Sequence, residues 1–175
     1  TPGCDLDCFY CHNRTVIENQ LPLIPEQDVM AFLQKRQGLL DGVVVSGGEP
    51  TLQPDLARFI ERVRALGYAI KLDSNGQRPQ VVEQLLGSAL LDYIAIDLKA
   101  LPEDYPAVCQ GDFLKTEQTL TLLSRQTVPF ELRTTLYPGL SLDQLRRLLQ
   151  LLPPVPRWRL NYFRMPATYR SEDQC

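Results

Sequence analysis

From residue 25 onward the chain keeps switching its hydrophobic period, and that alternation limits its fold more than any other feature. Short strand-like runs recur at residues 43–45, 69–72, 93–96, 130–135 and 158–163, the first of them continuously apolar. Between them, apolar residues fall three and four apart, the spacing of a helix that buries one face. Leu56, Phe59, Ile60 and Val63 are the clearest set, opened by Pro54 and followed by Gly67, which suits a helix C′ position. Pro25 opens an earlier helix with Val29, Phe32 and Leu33 on one face and Gly38 as its stop. Residues 79–86 read as a short helix ended by Gly87, and residues 113–125 as a longer one. Ser141 and Gln144 form a capping box for a helix carrying Leu145, Leu148, Leu149 and Leu152, stopped by Pro153-Pro154. Repeated strand–helix units of this kind predict an α/β domain with a parallel sheet. The run Val43-Val44-Val45 predicts a strand buried on both faces.

A parallel sheet has a chemical direction, because ligands gather at the carboxyl ends of its strands. Polar residues stand at all five predicted ends. Ser46-Gly47-Gly48-Glu49-Pro50 follows the first strand and Asp73-Ser74-Asn75-Gly76 the second. Asp97 and Lys99 end the third, Arg133 and Thr135 lie late in the fourth, and Asn161 and Tyr162 in the fifth. Two adjacent glycines let backbone approach a ligand closely, and a neighbouring carboxylate can accept bonds from an ammonium.

Cys4, Cys8 and Cys11 form C-x-x-x-C-x-x-C. With five Cys in 175 residues, meeting both spacings by chance is about one in a thousand per starting Cys. Thiolates are soft ligands for zinc or iron–sulfur clusters. A structural zinc site needs a fourth ligand, for which only the adjacent and badly placed His12 offers itself. A [4Fe–4S] cluster can instead leave one iron open to substrate. Cys109 and Cys175 are isolated and read as spare thiols; Trp158 reads as core.

The cysteine spacing, with Tyr10 before the third cysteine, resembles the radical S-adenosylmethionine superfamily. That resemblance implies a partial (β/α) barrel and a [4Fe–4S] cluster on Cys4, Cys8 and Cys11, whose open iron is chelated by S-adenosylmethionine. The reduced cluster passes an electron to the sulfonium, and a 5′-deoxyadenosyl radical results. Gly47, Gly48 and Glu49 look like the superfamily's glycine-rich motif, which receives the methionine amino group. Asp73, Ser74, Asp97 and Lys99 resemble residues of the glycyl-radical activating enzymes. There they line the methionine end, in some relatives with a monovalent cation, and the lysine faces the carboxylate. Arg133 matches an arginine that reaches the ribose or carboxylate, and Tyr10 joins this cofactor-binding set. Cys11-His12-Asn13 is similar to the activators of anaerobic ribonucleoside-triphosphate reductase and of pyruvate formate-lyase, the reductase activators being nearer. The implied partners are a glycyl-radical enzyme, whose glycine loses a hydrogen, and a flavodoxin- or ferredoxin-type reductant. The competing expectations are a radical enzyme acting on a small molecule or nucleic acid, and a non-catalytic electron carrier or zinc module.

Family members have a strand before the cysteine loop, whereas this chain begins Thr1-Pro2-Gly3. Residues 1–175 are therefore expected to be a core domain truncated at its N-terminus. The strand at Val43 should lie at a sheet edge, and the loop of residues 1–13 should be the least well-held part. Net charge is −3, which gives no reason to expect nucleic-acid binding, although Arg146, Arg147, Arg157, Arg159 and Arg164 cluster late. No apolar run reaches the roughly 18–20 residues of a membrane span, and no export signal opens the chain. The cytoplasm is the expected location.

Overall fold

The computed structural model describes residues 1–18 and 20–165, so Cys175 lies outside the described residues. Five parallel strands form one sheet in sequential order: β1 (Gly42–Val45), β2 (Ala69–Ser74), β3 (Tyr93–Asp97), β4 (Phe130–Leu136) and β5 (Trp158–Tyr162). Sequential order combined with right-handed crossovers places every connecting helix on the same face. The result is a partial (β/α) barrel, open between β1 and β5.

The helices are α1 (Arg14–Ile17), α2 (Glu26–Gln34), α3 (Leu56–Ala65), α4 (Pro79–Gly87), α5 (Tyr105–Cys109), α6 (Phe113–Leu123) and α7 (Leu142–Leu151). A 3₁₀ turn covers Pro50–Leu52. The Ser141–Gln144 capping box is present in both directions, and Gly67 takes the left-handed conformation after α3. In α2, Met30 and Leu33 are buried but Phe32 is half exposed, so the apolar face is rotated from the one expected. The short helices α1 and α5 had no clear apolar period to announce them.

Alternation along the strands separates two environments. Ile70, Leu72, Ile94, Ile96, Phe130 and Leu132 are buried in the apolar core. Lys71, Asp73, Asp97, Glu131 and Arg133 occupy the alternate positions, on the opposite, concave face. Trp158 is part of the core margin and donates its indole N–H to Thr134 Oγ1 at 3.0 Å.

Two expectations are corrected. β1 is not buried on both faces: it pairs only with β2 among the described strands, and Val44 is 55% exposed. It is an edge strand, as its place in the chain predicted. Nor is the opening loop loosely held. Thr1 N donates to Ser46 O at 2.6 Å and Gly48 N returns to Thr1 O at 2.8 Å, the alternation of a parallel ladder continued beyond β1. Farther along, Asp7 N donates to Cys109 O and Phe9 N to Val108 O.

Candidate cofactor site

The cysteine loop lies across the carboxyl ends of the strands. Leu6, Cys8 and Tyr10 turn inward and are buried, and Tyr10 stacks on Tyr137 with centroids 5.0 Å apart and planes 12° apart. Phe9 meets both rings edge-on, at 5.2 and 5.4 Å. Arg14 pairs with Asp7 and donates to Cys8 O at 3.0 Å, holding the loop's middle from outside.

Below the loop is a cavity of about 430 Å³. Its wall includes Cys4, Cys8, Cys11 and Tyr10 from the loop, and Gly47 and Gly48 after β1. Asp73, Ser74, Asp97, Lys99 and Arg133 complete it from below. Of the twelve residues expected at the site, eleven therefore meet in one cavity, and Glu49 is the exception.

Glu49 is fully buried and its carboxylate turns into the protein. Oε1 accepts from Thr51 N at 3.0 Å, Thr51 Oγ1 at 2.5 Å and Ser74 Oγ at 2.9 Å, while Oε2 accepts from Asn75 N at 2.7 Å. Burial raises its carboxyl above the ordinary value despite these bonds. Glu49 thus fixes the ends of β1 and β2 relative to each other rather than facing the cavity. Gly47 and Gly48 line the cavity and also have a second use. A Cβ on Gly47 would lie 2.2 Å from Thr1 O, and one on Gly48 would lie 1.9 Å from Gly3 O. One close approach they allow is that of the cysteine loop's own backbone.

On the concave face the charges alternate in sign. Lys99 Nζ donates to Asp97 Oδ2 at 3.0 Å, and Arg133 donates to Asp97 Oδ1 at 2.8 Å and to Asp73 Oδ2 at 2.9 Å. Lys71 Nζ follows, 3.3 Å from Asp73 Oδ1 and 3.4 Å from Glu131, and Arg159 lies 3.6 Å from Glu131. Register explains the row: Asp97 sits opposite Arg133 in the β3–β4 ladder. Burial is the largest single influence on Lys99 and opposes its ionisation, but the Asp97 carboxylate, with Tyr10 and Cys8 behind it, holds the ammonium pKa well above its usual value. Burial likewise opposes the Asp97 carboxylate, but Lys99 and Arg133 together hold it below the ordinary range.

Among the described residues, no three His, Cys, Asp or Glu side chains converge on a site for a single metal ion. A tetrahedral zinc would need that convergence, with bonds of about 2.0–2.3 Å. A cluster takes each thiolate on a different iron and accepts a wider spread. Burial pushes the Cys4 thiol up to about 11 and raises Cys11 as well. Contact with Cys109, then burial, raises Cys8. Iron would have to displace these protons. Among the described residues the buried Tyr10 hydroxyl has no hydrogen-bond partner, and Asp73 Oδ1 is met only by the Lys71 ammonium at 3.3 Å. A buried hydroxyl without a partner is rare in folded proteins and marks a place built for a polar ligand. Three thiols above, an unpartnered hydroxyl and an ion-paired floor fit a cluster with an amino-acid-bearing cofactor. Sequence reasoning left two contributors unassigned: Tyr137, beneath Tyr10, and Asn75, whose amide reaches Cys4. Asn75 follows Asp73-Ser74 directly, and that adjacency was the available signal.

A parallel half-barrel with a thiol-lined cavity at its carboxyl ends defines a class of enzymes that join a metal cluster to a small organic cofactor. The Radical SAM superfamily profile matches residues 1–152, and the chain belongs to that superfamily. It is 34% identical over 146 residues to a Methanocaldococcus jannaschii protein provisionally named a glycyl-radical enzyme activating enzyme, covering 78% of this chain and 59% of that protein. It is 27% identical over 155 residues to a provisionally named GTP 3′,8-cyclase of Pyrococcus abyssi, covering 86% of this chain and 50% of that one. The chain thus spans just over half the length of these relatives. The fold matches Streptococcus suis SuiB with a TM-score of 0.76 at 18% identity, over 96% of this chain and 39% of SuiB. It also matches a domain of pyruvate-formate lyase-activating enzyme from Bacteroides vulgatus, with a TM-score of 0.60 at 20% identity over 77% of this chain and 89% of that one. Among the described residues no helix is long and apolar enough to cross a membrane.

Proposed function

We propose that residues 1–175 are the core domain of a radical S-adenosylmethionine enzyme that activates a glycyl-radical enzyme. The observation that carries the reading is the meeting of Cys4, Cys8 and Cys11 with Asp73, Asp97, Lys99 and Arg133 in one cavity. When bound, the cluster supplies an electron to the sulfonium of S-adenosylmethionine, which is the source of the 5′-deoxyadenosyl radical. The chain's own residues bind and orient. Lys99 offers an ammonium to the cofactor carboxylate, and the backbone of Gly47 and Gly48 lines the methionine end. The Tyr10 hydroxyl, without a hydrogen-bond partner among the described residues, is assigned to donate to the ligand. Arg133 bridges Asp97 and Asp73, so a monovalent cation bound there would share those carboxylates with its guanidinium.

The partner side of the reading rests on the similarity to the glycyl-radical enzyme activating relative and on the Cys11-His12-Asn13 sequence. Anaerobic ribonucleoside-triphosphate reductase is the partner this favours, with a flavodoxin- or ferredoxin-type protein as electron donor and the cytoplasm as location. The open side of the barrel suits a substrate that is itself a protein. A radical enzyme acting on a small molecule is the second reading, favoured by the GTP 3′,8-cyclase relatives.

The protein, reconstituted anaerobically with iron and sulfide, should cleave S-adenosylmethionine under reduction and raise a glycyl-radical doublet in electron paramagnetic resonance when the reductase is added. Cofactor cleavage without that doublet, but with consumption of GTP, would establish the second reading instead. Zinc in place of iron would end both.

A further inference from the structure

The Asn75 side chain is committed on every side. Its Oδ1 accepts the backbone N–H of Gln77 at 2.9 Å, which fixes the sense of the amide. Nδ2 therefore faces the cysteine loop, donating to Asp5 Oδ1 at 2.8 Å and to Cys4 Sγ at 3.8 Å. Its backbone N–H goes to Glu49 Oε2 at 2.7 Å, and its carbonyl accepts Thr116 Oγ1 at 3.2 Å. The residue is buried, so this geometry is held by β2, Glu49 and α6 together.

All of Asn75's donors are thus spent on negative or incipiently negative groups around Cys4. Asp5 and Glu49 both place negative charge near that sulfur. A more reduced cluster carries more negative charge on its thiolates, so these carboxylates oppose reduction, while an N–H aimed at sulfur favours it. The Leu6 N–H reaches Cys4 Sγ at 3.5 Å, but it comes from the same loop and moves with it. Asn75 comes from the sheet, 71 residues away in sequence.

We infer that Asn75 is a positioning residue for the cluster: its side-chain N–H donates to the Cys4 sulfur and makes the cluster easier to reduce. The inference rests on the reading that Cys4, Cys8 and Cys11 carry that cluster. Asp5 stays paired with Arg78 at 3.1 Å and Glu49 keeps its Thr51 and Ser74 donors, but without the Asn75 amide the sheet offers the Cys4 sulfur no side-chain N–H, and the midpoint potential falls. It leaves the three thiols in place.

The test is a one-electron titration with dithionite, followed by electron paramagnetic resonance, on the anaerobically reconstituted protein. Asn75→Ala removes the donor. Asn75→Asp keeps the shape and the acceptor for Gln77 but has no N–H. Asp5→Asn/Asn75→Asp restores the pair at residues 5 and 75 with reversed polarity and the original net charge. With iron and sulfide at parental levels, each single variant should show a reduced-to-oxidised ratio about tenfold lower at a fixed potential, or ~59 mV for one electron. The double variant should regain cluster content and thermal stability but not the potential, because position 75 still offers the sulfur no N–H. An unmoved potential in Asn75→Ala at full cluster content, or a restored one in the double variant, overturns the inference alone. A parent protein that takes up no iron overturns it together with the cluster reading. Resonance Raman bands of the iron–thiolate bonds give an independent check, since loss of an N–H···S contact must shift them.

Discussion

Gly48 lies so close under Gly3 that a Cβ on the former would stand 1.9 Å from the carbonyl oxygen of the latter. No rotamer relieves a clash between a Cβ and backbone. Gly48→Ala is expected to lift the start of the cysteine loop off the sheet and break the 2.8 Å bond from Glu49 N to Gly3 O. Iron bound per chain after reconstitution should drop severalfold. Gly87→Ala is the control, because a Cβ there meets nothing within 4 Å and iron loading should match the parent.

Glu49→Gln tests the inward-facing carboxylate. The substitution puts an NH₂ against one of the N–H groups that the carboxylate accepts, a loss of about 1–3 kcal/mol in urea unfolding. The pH dependence has a definite sign. Glu49 has a raised carboxyl pKa in the folded state, so that state holds the proton more tightly than the unfolded chain does. Its contribution to stability therefore falls as pH rises from the ordinary value of 4.5 through the raised one. That decline should vanish in the variant, whose stability should otherwise be lower at neutral pH.

Asp97→Asn should show the opposite slope change. The Asp97 carboxyl is depressed, so its stabilising contribution is complete above the ordinary value of 3.8 and is lost as pH falls through the lower folded value. Unfolding midpoints measured down through the acid range should fall less steeply in the variant than in the parent. Equal slopes would mean that the pairing with Lys99 and Arg133 is not made in solution.

Tyr10→Phe removes a buried hydroxyl with no hydrogen-bond partner among the described residues while keeping the stack on Tyr137. The variant without cofactor should be as stable as the parent or more so, because an unsatisfied buried group costs about 1–3 kcal/mol. S-adenosylmethionine should bind it more weakly, read by equilibrium dialysis of the reconstituted protein. Unchanged affinity would place the hydroxyl away from the ligand.

Much of this was legible in the sequence because period and punctuation agree. All five strands fall where short strand-like runs predicted them, and the capping box and Gly67 act as their types require. The apolar character of Val43-Val44-Val45 misled, since edge and central strands share a composition and differ only in what lies beside them. Glu49 misled for a related reason. A carboxylate after two glycines can point to a ligand or back into the protein, and that choice depends on Thr51, Ser74 and Asn75, two of them more than twenty residues away. Asn75 was legible as a strand-end polar residue, but its reach to Cys4 depends on how the loop folds over the sheet.

The row Lys99–Asp97–Arg133–Asp73 has a consequence for selectivity. Each charge already has an opposite neighbour, and the four sum to zero. A lone anion or cation entering there must unbalance the row, whereas a zwitterion can enter by swapping partners with it, its carboxylate taking up a cation as its ammonium takes up an anion. Such an exchange leaves total charge unchanged and so draws little help from the long-range field that salt screens. The floor of the cavity works like a mixed-bed ion exchanger, matched to molecules that carry both signs at once.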